Sequence, residues 1–427
     1  MERQSIRLER FRQLKKEIRG SEAYLIVGLD IGKRSHHAFL GTATGRGLLR
    51  RLKIKNSAEG FERLLAHVDF CMTKEGFSRV VFGLEPTSVY QKPLAEFLVE
   101  RDYLVVYVTN EAIKKNRALL DGRWDKNDTK DAANAADLVS QGRCHYYDFP
   151  DMALRDVRSL LAVRMSLKKQ QHRLRMRIRN NLVAQYFPEF DKLWSKSQAE
   201  NLAIVRWCLA PEKIARLEFD KFFQMVTTRS RGNGQYRRLR NIWDTAHHSI
   251  GCQAGSALEL EARIMVEAVH QVQEHIGKVD ASIEQLCKGF DEYKLLLTIP
   301  GFGPYISAVV LAAIGNAHRF ENQSQIVRLA GLDLCAQRSG HKSATAVPVI
   351  SKKGKAHLRY ALYQAGLVAS TANTRFMAYF QKLLRGRERE KGIRTKMRVK
   401  LAAKLLVIAW TLMKKKEPFD AGYLNVE

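Results

Sequence analysis

The order of strand-like and helix-like segments constrains this chain more than any other feature. Three short β-like runs come first, "YLIVGLDIG", "HHAFLG" and "LLRRLKIKN", with the glycine-rich turn "GTATGRG" between the second and the third. The apolar runs "RVVFGLEP" and "YLVVYV" follow, each after a helical stretch. Three tightly joined strands predict an antiparallel meander, whereas strands that alternate with helices predict parallel pairing. Beyond Asp151 the β-like runs stop and helical patterns take over.

The predicted fold class is therefore α/β followed by all-α. A meander ahead of βαβ units is the strand order of an RNase H-like fold, and we expect that fold over residues 21–150. Residues 1–20 read as a basic N-terminal arm that docks on nucleic acid or on a partner. The alternative for this arm is an amphipathic helix, whose apolar positions would be Ile6, Leu8, Phe11, Leu14 and Ile18.

A heptad pattern marks residues 256–290. Apolar residues there recur in steps of four and three, at Leu258, Ala262, Met265, Val269, Val272, Ile276, Val279, Ile283 and Leu286. Four heptads of this kind predict a coiled coil that could join two copies of the chain. The alternative is an ordinary long helix packed on its own domain, because Gly277 and His270 would weaken a free-standing coil.

The rest of the chain divides by composition into three segments. Residues 151–190 form a basic helix, and residues 191–255 form an insertion of unknown fold. Residues 291–427 form a helical C-terminal domain, in which Pro300 to Gly303 breaks two helical stretches as in a helix-hairpin-helix. The amides of Phe302 and Gly303 could there bind phosphate, although a plain αα-hairpin would need the same glycines.

The charge of the chain points to a polyanionic partner. Lys and Arg total 72 against 44 Asp and Glu, which gives a formal net charge of +28. This excess favours nucleic acid. The six scattered cysteines include no Cys-x-x-Cys pair, which predicts a reducing cytoplasm and no structural zinc. No apolar stretch reaches about 18 residues, so we expect neither a membrane span nor export.

The basic helix is the first candidate for nucleic-acid contact. Val157 to Pro188 contains eight Lys or Arg and no acid, which is unusual for a helix face that is merely solvated. We expect this stretch to lie along a phosphate backbone. Its candidate residues are Arg164, Lys168, Lys169, Arg173, Arg175 and Arg177.

Four acidic residues predict a metal site. Asp30 and Glu85 each follow an apolar strand run, and Asp128 and Asp131 lie three residues apart on one helix face. Carboxylates from three elements could hold two Mg²⁺ ions for displacement at a phosphodiester, with Mn²⁺ as an alternative ion. The competing interpretation is that Asp128 and Asp131 cap a helix, Asp30 is a turn residue and Glu85 opens a helix.

The motifs "GLDIGKRSHHAF", "GLEPTSVY", "KNDTKDAANAADL" and "IPGFGPYISAVVLAAIG" together resemble those of insertion-sequence transposases of the IS110 (one-hundred-ten) type. The resemblance covers about residues 24–180 and 290–415 but not 192–255. It implies a RuvC-like domain whose DEDD acids are Asp30, Glu85, Asp128 and Asp131. It also implies a C-terminal transposase domain whose serine, in "RSG", is Ser339.

The same resemblance implies a mechanism and partners. Ser339 would attack DNA and form a covalent phosphoserine link, and Ser307, Ser343 and Ser351 are its competitors. Nearby cations would bind phosphate, namely Arg338, Lys342, Lys352 and Arg359. The partners would be DNA and a structured non-coding bridge RNA. The chain would also form a homodimer or homotetramer through the coiled coil.

The sequence thus predicts a DNA transposase/recombinase in the prokaryotic cytoplasm, associated with the nucleoid. Two other functions stay open at this point. One is a RuvC-like junction endonuclease, in which Ser339 is structural. The other is a non-catalytic nucleic-acid-binding protein, in which the acids cap helices.

Overall fold

The computed structural model describes residues 2–86, 88–121, 128–195, 198–227, 229, 232–336 and 348–424. The chain divides into two compact units, Met1–Asp151 and Met152–Glu427. Three predicted site residues, Arg338, Ser339 and Lys342, lie outside the described residues, as do the competitor Ser343 and the side chain of Asp128.

The first unit is built on one mixed β-sheet. Its strands are β1 (Tyr24–Ile31), β2 (Ser35–Thr42), β3 (Gly47–Lys55), β4 (Arg79–Leu84), β5 (Leu104–Tyr107) and β6 (His145–Tyr146). Its helices are α1 (Glu2–Glu17), α2 (Ala58–Glu75), α3 (Lys92–Glu100), α4 (Asn110–Asp121) and α5 (Asp128–Ser140). The strand order is β3-β2-β1-β4-β5-β6. Strands β1 to β3 pair antiparallel and β1, β4 and β5 pair parallel, which confirms the predicted meander followed by βαβ units.

The alternation of side chains along β1 separates two apolar layers. Leu25, Val27 and Leu29 point into the core that α2 and α3 cover, whereas Ile26 faces the core formed with α1, α4 and α5. Because side chains alternate along a strand, Asp30 lies on the same side as Ile26. The acid at the end of this strand therefore faces α5.

The N-terminal segment is not a free arm. Leu14 of helix α1 and Ile18, just after that helix, enter the core of the first unit, where both are fully buried. Lys15 donates a hydrogen bond to Gly142 O, and Arg19 Nε donates one to Gln141 O at 3.0 Å. The alternative of an amphipathic helix describes this segment, since Leu8, Leu14 and Ile18 are buried while Ile6 is exposed, and docking on nucleic acid stays a prediction.

The described part of the second unit is helical apart from one short strand pair. Its longer helices are α6 (Met152–Arg177), α9 (Gln198–Cys208), α11 (Phe219–Val226), α12 (Asn233–Ala246), α13 (Ser256–Cys287), α15 (Pro304–Ile314), α17 (Ala356–Ala372), α18 (Thr374–Leu384) and α19 (Ile393–Lys415). Its shorter helices are α7 (Ala184–Tyr186), α8 (Pro188–Lys192), α10 (Pro211–Ala215), α14 (Asp291–Leu297) and α16 (Gln323–Leu329). A π-helical turn, Ile178–Val183, continues α6. Strands β7 (Leu334–Cys335) and β8 (Val349–Ile350) pair antiparallel, which the sequence did not predict.

The heptad stripe of α13 packs within its own chain. Helix α13 runs antiparallel to α6, since Arg164 pairs with Asp280 and Arg177 pairs with Glu261. Most of the predicted stripe is buried, and Ile283 shares a core cluster with residues of α6. The prediction of an intermolecular coiled coil through this stripe is therefore wrong, and the alternative of a long helix packed on its own domain describes α13.

The segment predicted as an insertion forms a helical group beside α13. A separate core joins α8 to α12 with the first half of α13, and its fully buried members include Phe187, Phe190, Phe222, Leu239 and Ile242. Large aromatic side chains contribute much of this core, and their burial stabilises such short helices. We name α8 to α12 the tip group.

The turn at Pro300 to Gly303 packs against α17. Gly301 has a φ of +91°, and a Cβ there would lie 2.6 Å from Ala365 O, so the turn needs glycine for both conformation and space. The Phe302 amide donates to Ile299 O at 2.9 Å. That amide is not available to phosphate, and for Phe302 the plain αα-hairpin is the correct interpretation.

Within the described part of the chain, none of the helices is long and apolar enough to cross a membrane.

Candidate functional site

Three of the four predicted acids line one cavity in the first unit. The cavity has a volume of about 540 Å³, and Asp30, Glu85 and Asp131 all contribute to its wall. Residues of β1, β2, β3, α4 and α5 complete it. Five cationic side chains also line it, Lys33, Arg34, Lys53, Lys114 and Arg117. Such a mixture of carboxylates and cations suits a substrate that carries phosphates or a metal.

The register of two parallel strands brings Asp30 beside Glu85. In the β1–β4 pair, Gly28 is opposite Gly83 and Leu29 is opposite Leu84. The Glu85 amide then donates to Leu29 O at 3.4 Å, which continues this pairing past the end of β4. The next position of β1 is Asp30. Both acids therefore leave the carboxyl ends of adjacent parallel strands, where ligands bind in open α/β sheets.

Two strand glycines let helix α5 lie directly on the sheet. A Cβ at Gly28 would come within 2.1 Å of Ala132 O and 2.7 Å of Ala136 N, and one at Gly83 would come within 2.5 Å of a Val139 methyl. Any larger residue would push the helix away from β1 and β4. Because Asp131 directly precedes Ala132, this close packing places Asp131 at the cavity. The signal for this packing in the sequence is a glycine two residues before each strand-end acid.

Asp131 is paired with an arginine that the sequence analysis missed. Arg117 donates to Asp131 Oδ1 from Nε at 3.0 Å and from Nη2 at 2.5 Å. The Asp131 side chain is only 2% exposed. A nearby hydrogen bond from Asn116 to Asp137, at 2.7 Å, ties α4 to α5 and thereby fixes Arg117 at this distance. Asp131 is thus neither a solvated first-turn acid nor an isolated buried charge.

The described side chains do not by themselves form a closed metal cage. Among them, no group of three or more His, Cys, Asp or Glu is close enough to hold one ion. Asp128 is the first residue of α5, one turn before Asp131 on the same face, and its side chain is outside the description. The donors that line the cavity are carboxylate oxygens, which is the ligand type that Mg²⁺ prefers. The donor chemistry fits Mg²⁺, and Arg117 holds Asp131 in the structure as it stands.

Ser339 lies in the part of the chain between β7 and β8. These two strands pair Leu334 with Ile350 and Cys335 with Val349. The Ser351 hydroxyl donates to Asp333 Oδ1 at 2.6 Å and accepts from the Lys353 amide, so Ser351 orders this turn as expected. Ser307, the other described competitor, lies buried inside α15. Neither serine is placed as an exposed nucleophile.

Two of the predicted phosphate ligands, Lys352 and Arg359, follow β8 in the sequence and differ in their exposure and contacts. Lys352 is exposed and has a φ of 55°. Arg359 donates from Nη1 to Ala330 O at 2.8 Å. Arg359 therefore has a structural contact here, and its predicted contact with nucleic acid stays a prediction.

The cations of α6 divide into internal and surface groups. Arg164 pairs with Asp280, and its guanidinium carbon lies 3.7 Å from the centroid of the Tyr305 ring. Burial lowers the pKa of Arg175. Arg164 is thus part of the α6–α13 packing, which corrects its predicted role. The predicted cations that are exposed on α6 are Lys168, Lys169, Arg173 and Arg177.

Comparison with known proteins agrees with this architecture. A family model described as a transposase matches residues 27–188, and the model of the transposase IS116/IS110/IS902 family matches residues 293–381. A protein of insertion element IS110 from Streptomyces coelicolor is 23% identical over 401 residues, which is 91% of this chain and 94% of the relative. A pilin gene-inverting protein from Moraxella bovis is 30% identical over 152 residues, 34% of this chain and 45% of the relative. The chain belongs to the IS116/IS110/IS902 family of transposases.

Proposed function

We propose that this family member cleaves and rejoins DNA at a metal-assisted site formed by Asp30, Glu85, Asp128 and Asp131. The observation that carries the proposal is the shared cavity of Asp30, Glu85 and Asp131, which come from two strand ends and one helix. The strand order β3-β2-β1-β4-β5 supports an RNase H-like, RuvC-like fold for the first unit. A capping role for Asp131 is less suitable, because its carboxylate is directed to Arg117.

Mg²⁺ is the proposed cofactor, as two ions, with Mn²⁺ as a substitute. When bound, Mg²⁺ would offset the charge of the phosphate and stabilise the developing charge on the attacking and leaving oxygens. Asp30, Glu85, Asp128 and Asp131 would hold it. The cavity cations, including Lys33, Lys114 and Arg117, would bind the phosphate oxygens and orient the strand.

Ser339 is the proposed nucleophile. Its Oγ would attack a DNA phosphorus, the bond from phosphorus to one deoxyribose oxygen would break, and that oxygen would take up the serine proton. A hydroxyl of another strand would then attack the phosphoserine and release Ser339. The diester is conserved, so strands can be exchanged without ATP. Support comes from the motif "RSG", which lies in the sequence between the paired strands β7 and β8.

The proposed partners follow from the same family. They are DNA at the element ends and at the target, a structured bridge RNA, and further copies of the chain as a homodimer or homotetramer. The exposed cations of α6 would hold a nucleic-acid backbone without reading its sequence. The heptad stripe of α13 is mostly buried within the chain and is not the proposed contact between copies. The proposed location is the nucleoid in a prokaryotic cytoplasm.

One experiment tests the proposed chemistry. The full chain is incubated with Mg²⁺ and labelled element-end DNA, with and without the cognate RNA, and is then denatured. We expect a covalent protein–DNA adduct that disappears in Ser339→Ala. Free cleaved ends that survive Ser339→Ala would identify a junction endonuclease instead. DNA that stays intact with the wild-type protein would contradict both functions.

A pair of aspartate variants in the first unit tests the metal site. Asp131→Asn is expected to bind DNA normally and to give no product. The control is Asp69→Asn, which neutralises an exposed aspartate of α2 outside the cavity wall. If Asp131→Asn forms as much DNA product as the control variant, Asp131 is not part of the metal site. Mn²⁺ is expected to replace Mg²⁺ in the wild-type reaction.

A further inference from the structure

Helix α12 of the tip group carries an aromatic and cationic stripe on its outer face. Tyr236, Arg240, Trp243 and His247 follow at intervals of four, three and four residues, so they lie on one side of the helix. The adjacent side, about a quarter of the way around the helix, carries Leu239, Ile242 and Ala246, which are buried in the core of the tip group. We name the four outer residues the α12 stripe.

The stripe residues are in contact with one another and with α11. The Arg240 guanidinium carbon lies 4.7 Å from the Trp243 ring centroid and 4.9 Å from that of Phe219. The Tyr236 ring meets Phe219 edge-on at 5.0 Å. Trp243 and His247 are 4.4 Å apart, also edge-on. These rings and the guanidinium form a continuous surface about 16 Å long, from the rise of an α-helix over eleven residues.

The stripe is held rigid although much of it is exposed. Trp243 Nε1 donates to Leu217 O at 2.8 Å, which fixes the indole while the side chain stays half-buried. Tyr236 is 48% exposed, and Arg240 and His247 are exposed as well. A rigid exposed aromatic surface has already lost side-chain entropy, so a ligand that stacks on it loses little more.

The charge around the stripe is positive. Residues 229–248 contain five arginines and one acid, Asp244, which pairs with Arg240 at 3.6 Å. Arg237 is exposed beside the stripe, whereas Arg238 is turned inward to Glu200. Aromatic rings flanked by arginines are the surface on which unpaired bases stack while the phosphates meet positive charge. Bases inside a duplex are already stacked and cannot use such rings.

We propose that the α12 stripe binds unpaired nucleotides in a loop of a structured RNA. The proposal rests on the proposed function, from which it takes the RNA partner. It concerns a segment that lies between the two family matches, residues 27–188 and 293–381. Loops of a folded RNA keep bases unpaired, whereas element-end and target DNA arrive as duplexes. The stripe therefore selects unpaired RNA, and the exposed cations of α6 supply general backbone contact.

Binding measurements without catalysis test the stripe separately from the recombination chemistry. A labelled RNA hairpin with an unpaired loop, the same RNA fully paired, and a DNA hairpin of the same sequence are titrated with the full chain in EDTA. We expect tightest binding to the looped RNA. Tyr236→Ala should weaken that binding about tenfold, by loss of one stacked base, and should leave the fully paired RNA unchanged.

Three further variants sharpen the result. Tyr236→Phe keeps the ring and should bind as the wild type does. Arg240→Ala should weaken binding and lower the salt dependence by about one counterion, whereas Tyr236→Ala should not change the salt dependence. The control is Phe70→Ala, which removes another exposed aromatic ring, on α2, and should have no effect. Thermal unfolding of each variant shows whether it folds.

Three outcomes would overturn the proposal. If Tyr236→Ala binds the looped RNA as tightly as the wild type, a base does not stack on the Tyr236 ring. An equal loss on looped and paired RNA would reduce the stripe to a charged surface. A DNA hairpin that binds as tightly and loses the same factor would identify DNA as the partner. None of these outcomes bears on the adduct formed through Ser339, which the recombination assay measures.

Discussion

Arg117 and Asp131 form a two-hydrogen-bond ion pair at the wall of the carboxylate cavity, with N–O distances of 3.0 and 2.5 Å. The pair keeps the nearly inaccessible Asp131 carboxylate compensated when no metal ion is bound. In the proposed function, a bound Mg²⁺ ion would take over this compensation and leave Arg117 to bind a phosphate. Arg117 would thus hold Asp131 in place before the metal binds.

We expect Arg117→Ala to lower the free energy of unfolding by about 3 kcal/mol without Mg²⁺, because it leaves a buried carboxylate unpaired. Mg²⁺ should recover more stability in the variant than in the wild type, since it would replace the missing charge. Urea titrations with and without Mg²⁺ measure both effects. The control is Arg101→Ala, which removes a surface pair with Glu62 and should cost about 1 kcal/mol or less. Equal Mg²⁺ responses of Arg117→Ala and wild type would argue against a shared role with the metal.

Gly28→Ala tests whether close packing of α5 on β1 positions Asp131. The new methyl group would meet the backbone of Ala132 at 2.1 Å, so α5 must shift. We expect a loss of about 1 to 3 kcal/mol in the free energy of unfolding, with weaker DNA cleavage at saturating Mg²⁺. Gly277→Ala in α13 is the matched control, because its methyl group meets nothing within 4 Å. That variant should be more stable than the wild type by up to about 1 kcal/mol.

The strands and the strand-end acids were predictable because both are local signals. Alternation and apolar runs fix where β1 and β4 end, and a polar residue at such an end faces a ligand site. The pairing of Arg117 with Asp131 has no such signal. The two residues lie on separate helices, and six residues between those helices are outside the described structure. Only the packing of α4 on α5 brings them together.

The partner of α13 was predicted wrongly for a different reason. A heptad stripe reports that one face of a helix is buried, but it does not report whether the covering helix belongs to the same chain. Here α6 covers it, and the acid-free pattern of α6 predicts contact with nucleic acid without indicating this packing. The fold of the tip group was not predictable from the sequence. Its helices are short, and its core depends on aromatic residues rather than on a periodic aliphatic stripe.

The stability of the first unit should depend on pH through His36. This side chain is fully buried on β2, and burial lowers the pKa of its imidazole. A lowered pKa in the folded state means that the unfolded chain binds more protons below about pH 6.5, so stability falls as the pH drops through that range. His36→Leu should reduce this loss between about pH 6.5 and 5. Burial also lowers the pKa of His145, so part of the slope remains.

Urea titrations at several pH values measure this slope. The control is His248→Gln, which changes an exposed side chain and should keep the wild-type slope. A slope that is the same in His36→Leu and in the wild type would mean that other groups govern the acid sensitivity.

A charge placed in the α6–α13 seam distinguishes packing within the chain from a contact between chains. Ile283 is buried in the core that α13 shares with α6, whereas Leu260 on the same helix is 58% exposed. Ile283→Asp should lower the free energy of unfolding by about 3 kcal/mol or more, because it buries an unpaired carboxylate. Leu260→Asp should change it by less than about 0.5 kcal/mol. Sedimentation of the folded fraction should give the same oligomeric state for Ile283→Asp as for the wild type. If Ile283→Asp dissociates an oligomer at unchanged stability, the stripe forms an intermolecular coiled coil. If only Leu260→Asp dissociates it, the contact between copies lies on the outer face of α13.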